Sequence, residues 1–350
     1  MDFTFTEDQL LFQESARDFL VNEVTPEKIR ALWDTDSGRD AALRAQLAEL
    51  GLTAVTVPEE FGGLGMNAVD FVLLAQECGY VALPEPLVHS ALIAVPTLLA
   101  LNHNELCERW LPKIASGEAV VVVGLEQNLL VEDAHIADLL LIQRGAKWYA
   151  LKPDQVQLEL NASVDPSRKL FRVSFGDGDG TRVATGVDAG NIELAAQNYG
   201  ALAAAAQALG LAQRMIDLSV AYTSERQQFG KPIGSFQAVK HLMANVAYRL
   251  EYAKAPVARA AYALAHREAR AAALVSHAKL VACEVADLAA KNCIQVHGAM
   301  GYTWEVDLHI YMKRAWALNN TWGDAAFHKQ RVADLILADG AALGAGATFG

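Results

Sequence analysis

Arg226-Gln227-Gln228-Phe229-Gly230-Lys231-Pro232-Ile233-Gly234-Ser235-Phe236-Gln237 interrupts the most regular part of the sequence. On either side run Ala-rich stretches, Ala195 to Thr223 and Phe236 to Ala265, with few breakers. Ala loses almost no side-chain freedom in a helix, so both stretches are expected to be helical, with a kink at Pro256. Gly230-Lys231-Pro232-Ile233-Gly234 punctuates between them, since Gly and Pro end periodic structure. Apolar residues surround both helices broadly, as where helices pack in a bundle or across subunits.

Working toward the N-terminus, residues 120–190 change character. Ala119 to Val123 and Ala137 to Ile142 are short apolar runs of strand type. Phe171, Val173 and Phe175 alternate with Arg172 and Ser174, and Gly176-Asp177-Gly178-Asp179-Gly180 reads as a turn. A small antiparallel β unit of about 70 residues follows from this pattern. Residues 1–119 read as helical again: Thr6, followed by Asp8 and Gln9, reads as a cap with a capping-box partner in the first turn, and Leu10, Phe12, Ala16 and Phe19 recur at helical spacing. Pro58 to Gly65 forms a glycine-rich loop before a helix starting near Asn67. The expected fold is mostly α with a small β unit: helical 1–119, β 120–190 and a helical bundle over 191–350.

The chain has 350 residues and a formal net charge of -12, which excludes the clustered excess of Lys and Arg that nucleic acid demands. Cys78, Cys107, Cys283 and Cys293 lack C-x-x-C spacing, so neither a metal site nor a disulfide framework is expected, and a cytoplasmic setting is the default. The opening Met1-Asp2-Phe3-Thr4 has no secretory pattern, and no stretch is apolar enough to span a bilayer.

Two motifs carry a resemblance that covers nearly the whole chain. Arg226 to Gln237 is similar to the R-x-x-F-G-x-x-I-x-x-[FH]-Q signature of the acyl-CoA dehydrogenase family. Gln295-Val296-His297-Gly298-Ala299-Met300-Gly301-Tyr302 is similar to its Q-x-x-G-G-x-G-[YF] signature. Either motif alone could be a solvated helix end with Phe229 in the core; both, in this domain order, point to the family. The resemblance implies the family's helical–β–helical-bundle fold and an FAD cofactor. It implies that Arg226 pairs with the FAD pyrophosphate, as a guanidinium fork can, and that Phe229 packs on adenine. Gln228, Phe236 and Gln237 occupy further FAD-contacting positions, and Gln295, Gly298 and Ala299 match the backbone segment beside the adenylate. In the family these groups hold the FAD of a neighbouring subunit.

The departures are as informative. The reaction needs a carboxylate base to remove a proton alpha to the thioester. Most members place a Glu near the C-terminus, where this chain has Trp322; a minority place it on an earlier helix, at Gly200 here. No catalytic residue is therefore assigned. The family's substrate-positioning Asp and Arg align with Asn198 and Ala201. Its flavin-contacting Thr-Glu-Pro loop has become Leu125-Glu126-Gln127-Asn128, and Lys147-Trp148-Tyr149 is the nearest remnant of its Trp-Ile-Thr strand. This pattern resembles the smaller, base-lacking subunit of heterotetrameric acyl-CoA dehydrogenases of bacterial steroid catabolism. It implies a longer partner carrying the Glu, an acyl-CoA substrate and an electron-transferring flavoprotein as acceptor. The acyl group itself is not legible. Two alternatives stay open: a homo-oligomeric dehydrogenase with a displaced base, Glu126 or Glu305, and a non-catalytic scaffold. Thr303 reads as the cap of a helix whose first turn holds Glu305 and Asp307. Lys313 and Arg314 read as surface charge or as contacts to CoA phosphates or a partner. His297 reads as a hydrogen-bonded interface histidine.

Overall fold

The computed structural model describes residues 4–128, 130–344 and 346; the readings of Met1–Phe3 and of the extreme C-terminus lie outside them. Seven helices precede the first strand: α1 Glu7–Glu23, α2 Pro26–Trp33, α3 Ala41–Glu49, α4 Ala68–Tyr80, α5 Leu87–His89, α6 Val95–Ala100 and α7 Asn104–Ala115. Thr6 and Gln9 form the expected capping box, and Asn67 with Asp70 forms a second. The buried face of α1 is Ala16 and Leu20, with Phe12 and Phe19 partly buried against the core; of the expected stripe only Leu10 points to solvent. Ser90–Ala94, between α5 and α6, is π-helical, a conformation that frequently accompanies functional sites.

The strands form two sheets rather than one antiparallel unit. β1 Val121–Gly124, β3 Leu139–Arg144, β4 Lys147–Leu151 and β7 Thr181–Thr185 pair in the order β1-β3-β4-β7. β2 Val131–Glu132, β5 Gln157–Asn161 and β6 Leu170–Ser174 pair in the order β2-β6-β5. The expectation of an all-antiparallel unit is corrected at β1, which runs parallel to β3. Both strands are buried on both faces, as parallel strands usually are.

α8, Gly186–Glu225, is the axis of the molecule and begins before the limit at 191 drawn from sequence. The hairpin β8 Gln227–Gln228 and β9 Lys231–Pro232 leads to α9 Gln237–Ala265, which continues through Pro256, and then to α10 Ala271–His297. α11 Leu308–Asn319 and α12 Ala325–Ile336 close the chain. Small residues let α8 approach its neighbours. A Cβ on Gly210 would fall 2.6 Å from the Tyr80 nitrogen, and one on Gly79 would fall 2.6 Å from the Gln207 Cα. α4 and α8 therefore cross backbone to backbone. No helix among the described residues is long and apolar enough to cross a membrane, and no cluster of three or more potential metal ligands occurs among them.

Candidate functional site

Arg226 ends α8, and the next two residues pair with β9 through a tight turn at Phe229-Gly230. Both turn residues have positive φ, +53° and +77°, the requirement of a type I′ hairpin. Gly meets it freely; Phe does so at a cost of about 1–2 kcal/mol. Phe229 is also 91% exposed, so burial does not compensate that cost. Its ring meets Phe236 edge-on with centroids 6.1 Å apart, and Lys231 Nζ lies 4.4 Å from the Phe236 ring. Gln228 and Gln237 are exposed, and Gln237 Oε1 is 3.0 Å from His241 Nε2. The Arg226 guanidinium is exposed and meets no partner among the described residues.

The second motif reaches the same corner. His297 stacks on Tyr222 with centroids 4.3 Å apart and an interplanar angle of 20°, tying the end of α10 to the last turn of α8. Its Nδ1 is 2.7 Å from the Cys293 carbonyl, and burial lowers its pKa, so the ring is a neutral strut. Gln295 and Ala299 are exposed beside it. Gly298 adopts φ +60°, ψ -138°, a conformation open essentially only to glycine, and nothing crowds its Cα. The corner thus offers an unpartnered guanidinium fork, an aromatic face and accessible backbone, a set that suits an ADP-like group. Tyr222, which joins the two halves, escaped the sequence reading because it lies outside both motifs.

A different arrangement surrounds Trp322. The two positions expected from the motifs to correspond to the family's base lie against each other: a Cβ on Gly200 would fall 2.5 Å from Trp322 Cγ. The indole fills the space a side chain at 200 would need, and Trp322 is only 7% exposed. Its backbone is left-handed, φ +58°, and two buried side chains hold it there. Gln197 Nε2 donates to the Trp322 carbonyl, and His328 Nε2 lies 3.0 Å from the same oxygen. His328 Nδ1 meets Ser276 Oγ at 3.0 Å; burial, with Lys279 nearby, lowers the ring to about 4. Neither Gln197 nor His328 belongs to a motif, so only the fold reveals their role.

The cavity left beside Gly200 has a volume of about 50 Å³, room for a water or two. Charge closes it from the other side. Arg39 pairs with Asp133, Arg168 with Glu132 and Arg314 with Asp165, all with buried side chains except Glu132, which is half-buried. Burial raises the Glu132 carboxyl, but Arg168 outweighs it and holds the group well below the usual range. Arg314, expected at the surface, is thereby removed from any CoA or partner contact; Lys313 instead covers the Trp304 ring at 3.9 Å. A second cleft of about 310 Å³, bounded by Gly124, Gln127, His89 and Trp322, lies where β1 ends.

The remaining candidates are structural. Trp148 is fully buried and its Nε1 donates to the Ala189 carbonyl at 3.0 Å, so its face is closed to a ligand. Glu126 accepts from the Gly145 N–H at 2.7 Å and stabilises the β3–β4 turn. Glu305 is exposed, and α11 starts only at Leu308, so Thr303 closes a 3₁₀ turn and does not cap that helix. Asp307 pairs with Arg30. Glu193, on α8 and missed by the sequence reading, has its carboxyl raised by burial and then by Glu126; it accepts from Gln127 and Gln143.

The fold and motifs define a flavoprotein dehydrogenase. Residues 6–118 match the N-terminal domain of acyl-CoA dehydrogenases and residues 191–337 match their C-terminal domain. The chain belongs to the acyl-CoA dehydrogenase family, a family of FAD-dependent oxidoreductases. Acyl-CoA dehydrogenase IpdE2 of Mycobacterium tuberculosis is 31% identical over 313 residues, covering 88% of this chain and 91% of that protein. Acyl-CoA dehydrogenase FadE34 of the same organism is 32% identical over 314 residues, 84% of this chain but 42% of that protein. The ChsE4-ChsE5 complex from Mycobacterium tuberculosis contains a chain of the same fold, with a TM-score of 0.85 at 22% identity over 96% of this chain and 99% of that one.

Proposed function

We propose that this chain is the base-lacking subunit of a heteromeric acyl-CoA dehydrogenase and completes the FAD site of a longer partner. The observation that carries the reading is Trp322 packed on Gly200. One bulky apolar side chain fills both places where the family keeps its carboxylate, and the carboxylates that line the space beside it, Glu85, Glu132 and Asp133, are each paired with an arginine. Arg226, Phe229, Gln228, Phe236, Gln237, Gln295, Gly298 and Ala299 then serve the adenine and pyrophosphate half of FAD held by the partner. FAD supplies hydride acceptance when bound. This chain's residues orient its nucleotide end and shield it from water.

The similarity to IpdE2 and to a chain of the ChsE4-ChsE5 complex supports a partner of the same fold and a substrate of the steroid-catabolic kind. An electron-transferring flavoprotein as acceptor and a cytoplasmic location belong to the same proposal. Co-expression with a longer family member bearing the Glu tests it. The complex is expected to show a flavin visible spectrum and to desaturate an acyl-CoA, and the chain alone is expected to do neither. Arg226→Ala should weaken flavin retention in the complex by about 10- to 100-fold, the worth of a charge-assisted phosphate contact, without changing the chain's circular dichroism. Stoichiometric FAD and dehydrogenase activity in the isolated chain would sink the proposal. In that event Glu193→Gln is the first variant to make, because Glu193 is a half-buried carboxyl that shares the Gln127 amide with Gln197.

A further inference from the structure

The cysteines of the chain are all free, and three of them are held unreactive. Burial raises the thiols of Cys78, Cys107 and Cys293, the last to about 12. An apolar surround suppresses the thiolate, the form that oxidants attack. Cys107 and Cys293 also commit their S–H groups to the Leu98 and Met215 carbonyls, at 3.4 and 3.2 Å. Cys283 differs in what faces its sulfur. It is the least buried of the four, at 9% exposure, and Lys279 Nζ donates to its Sγ at 3.3 Å.

Lys279 is the more unusual partner. It is 2% exposed, and a lysine is almost never buried so fully unless it is paired. Lys279 makes no ion pair among the described residues; its Nζ meets the Cys283 sulfur and, at 2.5 Å, the Leu318 carbonyl. A sulfur is a weak acceptor, so this is a poor way to house a charge. It is a good way to hold a nitrogen against a thiol. The two residues stand four apart on α10, where side chains share one face, and the rest of the helix fixes their separation.

We propose that Lys279 and Cys283 form a redox-controlled cross-link, a direct Nζ–Sγ bond made under peroxide and undone by thiols. The chemistry balances in two steps. The peroxide transfers one oxygen to the Cys283 sulfur, giving a sulfenic acid and water. Nζ, as the amine, then attacks that sulfur; the S–O bond breaks, and the hydroxyl leaves as a second water with a proton from nitrogen. Sulfur is oxidised, the peroxide is reduced, and the two side chains together lose two hydrogens. Two equivalents of thiol reverse the bond, returning amine and thiol and leaving as a disulfide. The flexible four-carbon stem of lysine closes the gap.

The link reaches beyond the pair. Leu318 lies at the end of α11, where the loop bearing Trp322 departs. Drawing Nζ onto sulfur takes its hydrogen bond from the Leu318 carbonyl and so unties that loop from α10. Neither residue is among those assigned to FAD, so the proposal stands apart from the flavin reading.

Peptide mapping of the full-length chain tests it. The chain is treated with hydrogen peroxide, unfolded, alkylated with iodoacetamide and digested with trypsin. Cleavage is expected after Arg270 and Lys291 but not after Lys279. The resulting peptide 271–291 should carry no alkyl group and be lighter than the unmodified peptide by about 2 Da, two hydrogens. Dithiothreitol before alkylation should restore both cleavage and alkylation. Lys279→Met and Cys283→Ser should each abolish the linked peptide. Amide hydrogen exchange over 319–323 should quicken about 10-fold in the linked chain, the worth of one hydrogen bond. A Cys283 that stays open to alkylation overturns the proposal, as does one oxidised to the sulfinic acid with Lys279 still cleaved. Exchange over 319–323 that the link leaves unchanged overturns the effect on the loop.

Discussion

Phe229 is the residue at which folding and function pull apart. A left-handed, solvent-facing Phe whose ring meets only the Phe236 ring gains little within the chain, and such outliers cluster at ligand clamps. Trp322 is its counterpart, left-handed yet buried and fixed by two side chains. One of those side chains makes a measurable signature. His328 has a folded pKa of about 4 against an ordinary value of 6.5, so unfolding takes up a proton in that window. The contribution of the neutral ring is complete above pH 6.5 and is lost as the pH falls toward 4. Between pH 7 and 5 it should remove about 2 kcal/mol of stability. His89, lowered to about 4 chiefly by burial, acts in the same direction. Urea titrations at a series of pH values are expected to show this slope, and His328→Asn should reduce it without abolishing it. An unchanged slope in that variant would mean that His328 does not titrate as described.

At the level of elements, α8 decides what the chain can do. Its Ala and Gly positions permit close approach by α4, by α10 and by the Trp322 loop, at Gly210 and Gly200 above all. Gly200 gives the sharpest case. Gly200→Ala removes a flexible helix glycine, which alone should stabilise by about 1 kcal/mol. The clash with the indole should reverse that sign and destabilise by about 1–3 kcal/mol. Adding Trp322→Ala should recover most of the loss, giving a coupling energy of about 1 kcal/mol or more in a double-mutant cycle. Additivity of the two changes would show that the ring can move aside at little cost.

Across the whole molecule, three buried ion pairs connect the parts that a cleft would separate. Arg39 reaches from the loop before α3 to Asp133, and Arg314 on α11 reaches Asp165 and the Leu83 carbonyl. Arg168 joins Glu132, Thr321 and the Ala317 carbonyl. Burying ions is costly, and such pairs are poor evidence of net stability. Removing one partner is another matter. Asp165→Asn leaves Arg314 charged and dry, and should cost about 3–5 kcal/mol in urea unfolding. Replacing both, as Arg314→Met with Asp165→Leu, should cost far less.

Much of this was legible in the residues. The glycine-rich loop, the caps at Thr6 and Asn67, the helical runs and the Arg226 and Gln295 motifs are local features, set by backbone preference and short-range spacing. The expectation that Trp322 and Gly200 stand where the family keeps a carboxylate also comes from the chain, because it is a matter of side-chain chemistry at a motif position. Long-range contact decided the rest. The parallel β1–β3 pair depends on which strands become neighbours, and the exposure of Leu10 on α1 depends on what packs against that helix. Trp322 and Gly200 meet in space because the loop at 320–324 folds onto α8. Arg314 appears as surface charge in one dimension and as a buried ion in three, since only packing brings Asp165 to it.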